Sequence, residues 1–103
     1  MRVPITVNVT SETPITFDDN PVLGDRTVIR FQVDAGYEPQ ITIMNMAGEI
    51  VLDKKLPAGT NAFEWLLTNE AGKEVASGVY LVIVRTKVNG VEKVIRKKLL
   101  ILR

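Results

Sequence analysis

The side chains that most often carry out enzyme chemistry are missing from this sequence. It contains no histidine and no cysteine, so the commonest general base, the commonest metal ligand and the best nucleophile are absent. Ser11 and Ser77 remain as hydroxyl groups, with lysines available in principle for a Ser-Lys pair. Ser77 stands directly before Gly78 at the start of a predicted strand, where a turn residue that bonds the backbone is the favoured interpretation.

Paired carboxylates could support hydrolysis, and two pairs occur, Asp18 with Asp19 and Glu70 with Glu74. All four lie in predicted loops that offer no apolar pocket to raise the pKa of one partner. A general acid needs such a raised pKa at neutral pH. We therefore expect that the chain is not an enzyme.

The first long loop gathers several oxygen-bearing side chains, namely Asp18, Asp19, Asn20 and Asp25. Calcium takes about six to eight hard oxygen ligands, so a weak calcium site is one interpretation. The spacing matches no EF-hand loop, and residues of these types commonly form Asx turns that cap a loop. We favour the Asx turns and expect no other cofactor.

The aromatic residues Phe63 and Trp65 are two positions apart and point to one face of a predicted strand. An exposed pair would form a platform for a sugar or a peptide. A shared face and the large area that such side chains bury favour a place in the core. Tyr80 is also predicted to be core, with a partner for its hydroxyl group.

Positive charge is concentrated near the end of the chain, on Arg85, Lys87, Lys93, Arg96, Lys97 and Lys98. On two paired strands these side chains could line one solvent face. Such charges commonly keep an edge strand from aggregating. The alternative is a docking face for an acidic partner or for secretion machinery.

The length and composition predict one globular domain spanning residues 1–103, rich in β-branched residues. A net charge of +1 gives no general basic surface for nucleic acid or anionic lipid. No apolar run approaches the roughly 20 residues that span a bilayer. The start of the chain lacks the apolar middle of a signal peptide, so an export signal, if there is one, is expected elsewhere.

Alternation of apolar and polar residues predicts the strands. They cover residues 3–9, 15–17, 27–33, 41–46, 49–52, 61–67, 79–84 and 91–102. The strand at 79–84 is apolar on both sides, which predicts a central strand covered on both faces. Gly48 and the pair Asn89-Gly90 predict tight hairpins. Seven or eight short antiparallel strands predict an all-β sandwich of the immunoglobulin or fibronectin type III kind, with a closed barrel as the alternative.

An ordered set of residues from 18 to 103 resembles the Ig-like domain of bacterial flagellar hook-capping proteins. The set comprises Asn20-Pro21, Thr27-x-Ile29-x-Phe31, Ile41-x-Ile43, Asn45, Gly48, Gly59-x-Asn61, Trp65, Asn69, Gly72, Val75 and Ser77-Gly78-Val79-Tyr80. The chain departs from this pattern where Leu66-Leu67 replaces a common Asp-Gly pair. The same set is similar to C-terminal Ig-like modules of bacterial secreted enzymes and surface proteins, and residues 97–101 resemble sorting domains of the type IX secretion pathway.

The resemblance implies a noncatalytic appendage of an extracellular or cell-surface protein. Its expected partners are proteins, either other domains of its parent or secretion and surface machinery, and its expected role is contact, anchoring or sorting. A structural role in flagellar hook assembly is the alternative. A carbohydrate-binding accessory module of a secreted hydrolase is a third interpretation, which would require exposed aromatic residues.

Overall fold

A computed structural model describes residues 15–102. The predicted first strand at 3–9 and Ser11 lie outside the described residues. Within them the strands are β1 (Thr16–Phe17), β2 (Thr27–Arg30), β3 (Gln40–Asn45), β4 (Ile50–Lys55), β5 (Ala62–Trp65), β6 (Gly78–Val88) and β7 (Val91–Ile101).

The strands form two layers. In residues 15–102 one sheet has three strands in the order β1-β2-β5, and the other has four in the order β4-β3-β6-β7. All neighbouring strands within each sheet are antiparallel. The prediction of an all-β antiparallel sandwich is therefore confirmed, and a closed barrel is not formed by the described strands.

The core lies between the two sheets and follows the period-two pattern of the sequence. In β6 the side chains of Tyr80, Val82 and Val84 are buried, and Ile41 and Ile43 of β3 lie directly across from Val84 and Val82. The three-stranded sheet contributes the buried side chains of Thr27, Ile29 and Trp65. Side chains that alternate in this way give each sheet one apolar inner face, whose burial stabilises the sandwich.

The strand at 79–84 is central, as predicted, but the described residues cover it on one face only. β6 lies between β3 and β7. Leu81 and Ile83 point away from the core and are half-buried, and Val79 is 37% exposed. The prediction of cover on both faces is wrong because a sandwich has only two layers, so each sheet keeps an open outer face.

Two turns have the residues that their backbone requires. Asn89 and Gly90 have φ values of 53° and 80° and join Val88 to Val91, which is the geometry of a two-residue hairpin with both central residues left-handed. Gly48, at φ 86°, turns β3 into β4. Both predicted hairpins are confirmed, and β7 runs through Arg96, Lys97 and Lys98 without a break in register.

Candidate functional site

The outer side of the four-stranded sheet, called the outer face below, is a broad surface that faces solvent. Residues directly across from each other in antiparallel strands lie on the same side, so the register assigns its members. In β3, β6 and β7 the outer face consists of Gln40, Thr42, Met44, Val79, Leu81, Ile83, Arg85, Lys87, Glu92, Val94, Arg96, Lys98 and Leu100.

Apolar side chains occupy the middle of the outer face. Leu81 and Ile83 are half-buried by their neighbours, whereas Val79 and Val94 are 37% and 44% exposed. Ile50, the first residue of β4, is 58% exposed. Single exposed apolar residues are common on any protein, but a group on one flat sheet is a surface on which another protein could pack.

Basic side chains stand beside this apolar group. Arg96 lies directly across from Ile83, Lys98 from Leu81, and Arg85 from Val94. All three cations are exposed. Their aliphatic stems can extend over the apolar residues while the charges stay in water, so the face combines apolar area with positive potential.

The remaining predicted basic residues are placed differently. Lys87 is on the outer face across from Glu92 and is half-buried. Lys93 and Lys97 point to the opposite side of β7, across from the buried residues Thr86 and Val82. The expectation that all six cations share one solvent face is therefore wrong for these two lysines.

Lys97 is an exposed residue whose side chain reaches across to the other sheet. Its Nζ donates a hydrogen bond of 3.0 Å to the carbonyl oxygen of Ile15 and lies 5.5 Å from the centre of the Phe17 ring. A charged donor to a backbone carbonyl, with an aromatic face beside it, stabilises the cation in a partly buried place. Lys97 thus ties β7 to the strand β1 of the other sheet.

The motif residue Asn20 acts on the free edge of β7. Its Oδ1 accepts a hydrogen bond of 3.1 Å from the backbone N–H of Leu100, and its Nδ2 lies 3.4 Å from the carbonyl oxygen of Lys98. The Asn20–Pro21 peptide bond is cis. Val22 follows with two backbone bonds, from its N–H to Leu100 and from the N–H of Leu102 to its carbonyl oxygen, at 2.8 and 2.9 Å. This loop therefore covers the end of the edge strand.

The acidic loop residues have separate partners. Asp18 forms a two-point ion pair with Arg30 at 2.9 and 3.1 Å, and the hydrogen bond from that guanidinium lowers the pKa of the carboxyl group. Asp25 pairs with Arg26 at 3.4 Å. Within residues 15–102, no group of three or more histidine, cysteine or acidic side chains is arranged to hold a metal ion. The described loop therefore shows no arrangement of ligands that supports the calcium interpretation.

In the second carboxylate pair, the Glu70 side chain and the Glu74 backbone make separate contacts. Glu70 Oε2 accepts a hydrogen bond of 2.9 Å from the backbone N–H of Asp53 on β4, the other edge of the four-stranded sheet. The backbone of Glu74 forms an isolated antiparallel β-bridge with that of Thr68 across the turn that contains Gly72. Ser77 is exposed at the entrance to β6.

Trp65 and Tyr80 are core residues, as predicted. The indole is 1% exposed and donates its Nε1–H to the carbonyl oxygen of Thr68 at 2.9 Å. The Tyr80 ring meets it edge to face, with centres 6.0 Å apart and planes at 75°. The predicted partner of the tyrosine hydroxyl is the carbonyl oxygen of Ala76, at 2.6 Å. Phe63 packs against the same core, so these rings do not form an exposed platform.

Asp34 is a structural residue that sequence reasoning missed. Its carboxylate accepts hydrogen bonds of 2.8 Å from the backbone N–H groups of both Asn89 and Gly90, and these bonds, led by that of Gly90, lower its pKa. The backbone N–H of Asp34 donates to the carbonyl oxygen of Lys87 at 2.7 Å. An aspartate 55 residues before its partner carries no local signal of this contact.

In the described part of the chain there is no helix of the length and apolar character that a bilayer crossing requires.

No protein-family model matches this sequence, and no curated protein matches it. Solved structures share its fold. PorZ, described as an essential bacterial surface component of the type IX secretion system of Porphyromonas gingivalis, aligns with 86% of this chain at 22% identity, with a TM-score of 0.64. Dimeric latent PorU from the same organism aligns with 91% at 21% identity, with a TM-score of 0.65.

This chain spans only 11% of the PorZ chain and 10% of the PorU chain. At these identities the likeness establishes a common β-sandwich fold. FlgD from P. aeruginosa aligns with 72% of this chain and 58% of its own length at 17% identity, with a TM-score of 0.49, a likeness too low to bear on function.

Proposed function

We propose that this chain is a noncatalytic module of a bacterial secreted or cell-surface protein and that it works by protein contact in secretion, sorting or anchoring. The outer face is the docking surface. The observation that carries this proposal is the register of β6 and β7, which sets Arg85, Arg96 and Lys98 directly across from apolar side chains.

This arrangement favours a partner that is both acidic and partly apolar. Apolar area at the centre of an interface supplies affinity, and charges at its rim supply orientation and a faster encounter. The three exposed cations border Leu81, Ile83 and Val94 on the same sheet. An acidic protein surface with an apolar centre would match both parts.

The fold comparison supports the proposed place of this chain in bacterial secretion or at the cell surface. A module of this fold occupies about a tenth of PorZ, which is described as a surface component of the type IX secretion system. The sequence itself resembles sorting modules at residues 97–101. A small sandwich that recurs as part of much larger proteins is suited to contact and delivery.

The noncatalytic part of the proposal rests on the available groups. Histidine and cysteine are absent from the sequence. The pKa of Asp18 is lowered by Arg30, which is opposite to the change that a general acid needs. We therefore infer that the chain acts by contact with a complementary protein surface and not by catalysis.

A secretion assay tests the proposal. The full chain is fused after an exported reporter in a bacterium that has a type IX secretion system, and the reporter is measured in the periplasm, at the cell surface and in the medium. We expect the chain to move the reporter to the surface or the medium. Arg85→Glu combined with Lys98→Glu should reduce this movement at least about tenfold, because two of the three exposed cations of the docking surface change sign.

The matched control is Lys54→Glu combined with Lys73→Glu. It makes the same change in net charge at exposed lysines away from the outer face. A reporter that stays in the periplasm with the unaltered chain would overturn the role in secretion. Equal losses for both double variants would overturn the assignment of the docking surface.

A further inference from the structure

The strand β7 is an edge of the four-stranded sheet, and its even-numbered residues direct their backbone groups away from β6. Val22 and the Asn20 side chain show this, because they form hydrogen bonds with Lys98, Leu100 and Leu102 along the edge of β7 that is opposite β6. The β6–β7 register is unbroken from Gly78–Ile101 to Val88–Val91. By the period of an antiparallel ladder, the N–H and C=O groups of Glu92, Val94 and Arg96 point outward in the same way.

The stretch from Glu92 to Arg96 differs from two other parts of the sheet's edges, which are covered. On β4, the Glu70 carboxylate occupies the backbone N–H of Asp53. On β7, the loop with Asn20 and Val22 covers the edge only from Lys98 onward. Within residues 15–102, no backbone partner lies against the outward groups of Glu92, Val94 and Arg96, and the stretch contains neither proline nor a bulge. Among the described residues this stretch therefore leaves its outward backbone groups open to one more strand, and its charged side chains decide which strand it accepts.

The charge pattern of this stretch is complementary to itself when it is turned antiparallel. If Val94 lies across from Val94 of a second copy, Glu92 lies across from Arg96 of that copy, and the reciprocal pair forms as well. In this pairing, each even-numbered residue lies across from another even-numbered residue. The backbone groups of both point outward, so the two strands can form the hydrogen bonds of an antiparallel ladder. On the other side of the sheet, Lys93 meets Ile95 and Val91 meets Lys97, so no like charges oppose each other.

Neighbouring registers do not share this property. Centring the pair on Ile95 would place Lys93 directly across from Lys97 twice. Centring it on Arg96 would oppose two arginines and would run into the part of the edge that Asn20 covers. Like charges directly opposite destabilise a strand pair, whereas opposite charges and valine pairs stabilise it. One register is thus selected by the side chains.

We propose that two copies of this chain pair through the β7 edges from Glu92 to Arg96, with Val94 on the two-fold axis. The two four-stranded sheets become one continuous sheet of eight strands, and the two outer faces lie side by side. The interface adds a short ladder and two reciprocal Glu92–Arg96 pairs. Its area is small, so the dimer is weak and depends on concentration.

Sedimentation of the full chain over a range from about 10 µM to 1 mM, where a small interface of this kind would form, tests the proposal. The average mass should rise with concentration from 11.4 kDa toward twice that value. Glu92→Arg and Arg96→Glu, each alone, create two like-charge pairs and should weaken the dimer about tenfold or more. The double variant, Glu92→Arg with Arg96→Glu, restores opposite charges and should return the dissociation constant to within about threefold of the original.

Both changed residues are exposed, and circular dichroism checks that each variant is folded. A chain that stays monomeric up to the highest concentration overturns the proposal. A dimer that the single reversals leave unchanged, or that the double variant does not restore, overturns it too. The inference does not depend on the proposed role in secretion, whose test changes Arg85 and Lys98 and leaves Glu92 and Arg96 intact.

Discussion

Leu67 combines two opposing effects whose sizes can be separated by mutation. Its side chain is fully buried, and its φ of 59° lies in the left-handed region that side chains other than glycine rarely adopt. The turn that it makes lets the Trp65 indole reach the carbonyl oxygen of Thr68. Burial of leucine favours this residue, whereas the backbone conformation favours glycine.

The magnitudes predict an unusual stability difference between the alanine and glycine variants. Replacing a buried leucine by alanine costs about 2.7–5 kcal/mol of unfolding free energy. The left-handed conformation costs a residue with a Cβ roughly 1–2 kcal/mol, which glycine avoids. Glycine loses roughly 0.5–1 kcal/mol to alanine through its greater freedom in the unfolded chain. We therefore expect both variants to be destabilised, and the stability of Leu67→Gly relative to Leu67→Ala to be higher by about 1–2 kcal/mol than for the same two substitutions at a buried leucine with an ordinary backbone.

Leu56 provides the matched control because it is 4% exposed and is not among the described residues with a positive φ. There, Leu56→Gly should be less stable than Leu56→Ala by at least about 0.5–1 kcal/mol. Urea unfolding is followed by the fluorescence of Trp65, the only tryptophan, and by circular dichroism. If glycine is as much less stable than alanine at position 67 as it is at position 56, the left-handed backbone costs alanine no measurable free energy, and the reasoning is refuted.

Two further predictions follow from single side chains. Trp65→Ala should cost about 3–5 kcal/mol of unfolding free energy in a urea titration read by circular dichroism, and a loss below about 1 kcal/mol would contradict its burial. The pKa of Asp34 is lowered by the backbone N–H of Gly90 first, so its carboxylate stabilises the fold above the unfolded pKa of about 3.9, and this contribution is lost as the pH falls through the lower folded value. The Gly90 amide resonance should therefore titrate with a midpoint below about 3.9 in the native chain and should show no such titration in Asp34→Ala, whereas an unchanged titration in the variant would contradict the contact.

The local chemistry of the chain predicted much of the fold. Asn89-Gly90 suits a turn with two left-handed residues, and the alternation at residues 27–31 predicted which side chains of β2 face the core. The strand at 79–84 was correctly expected to be central. These features depend on neighbours in sequence, which is why they could be recognised.

The placement of the basic residues required the register between strands. Arg96, Lys97 and Lys98 form one charged run in sequence, yet successive side chains of a strand point to opposite faces. Ile95 packs against the core, and Leu99 is buried, so the middle lysine of the run must share their side. A stricter use of the period of two would have found Lys97. No local pattern could have found Asp34, because its contact joins distant parts of the chain.

Contacts at both ends of β7 affect how readily its edge can bind a partner strand. Asp34 fixes the hairpin tip, and the loop carrying Asn20 and Val22 fixes the other end. The stretch between them is therefore already held as an extended strand by β6 and by both ends. A partner strand would bind without first having to order this edge, and a smaller loss of conformational freedom raises affinity. Loosening the tip through Asp34→Ala should consequently weaken the sedimenting dimer, although Asp34 lies outside the paired stretch, and a dissociation constant unchanged by this variant would show that the tip does not hold the edge in place.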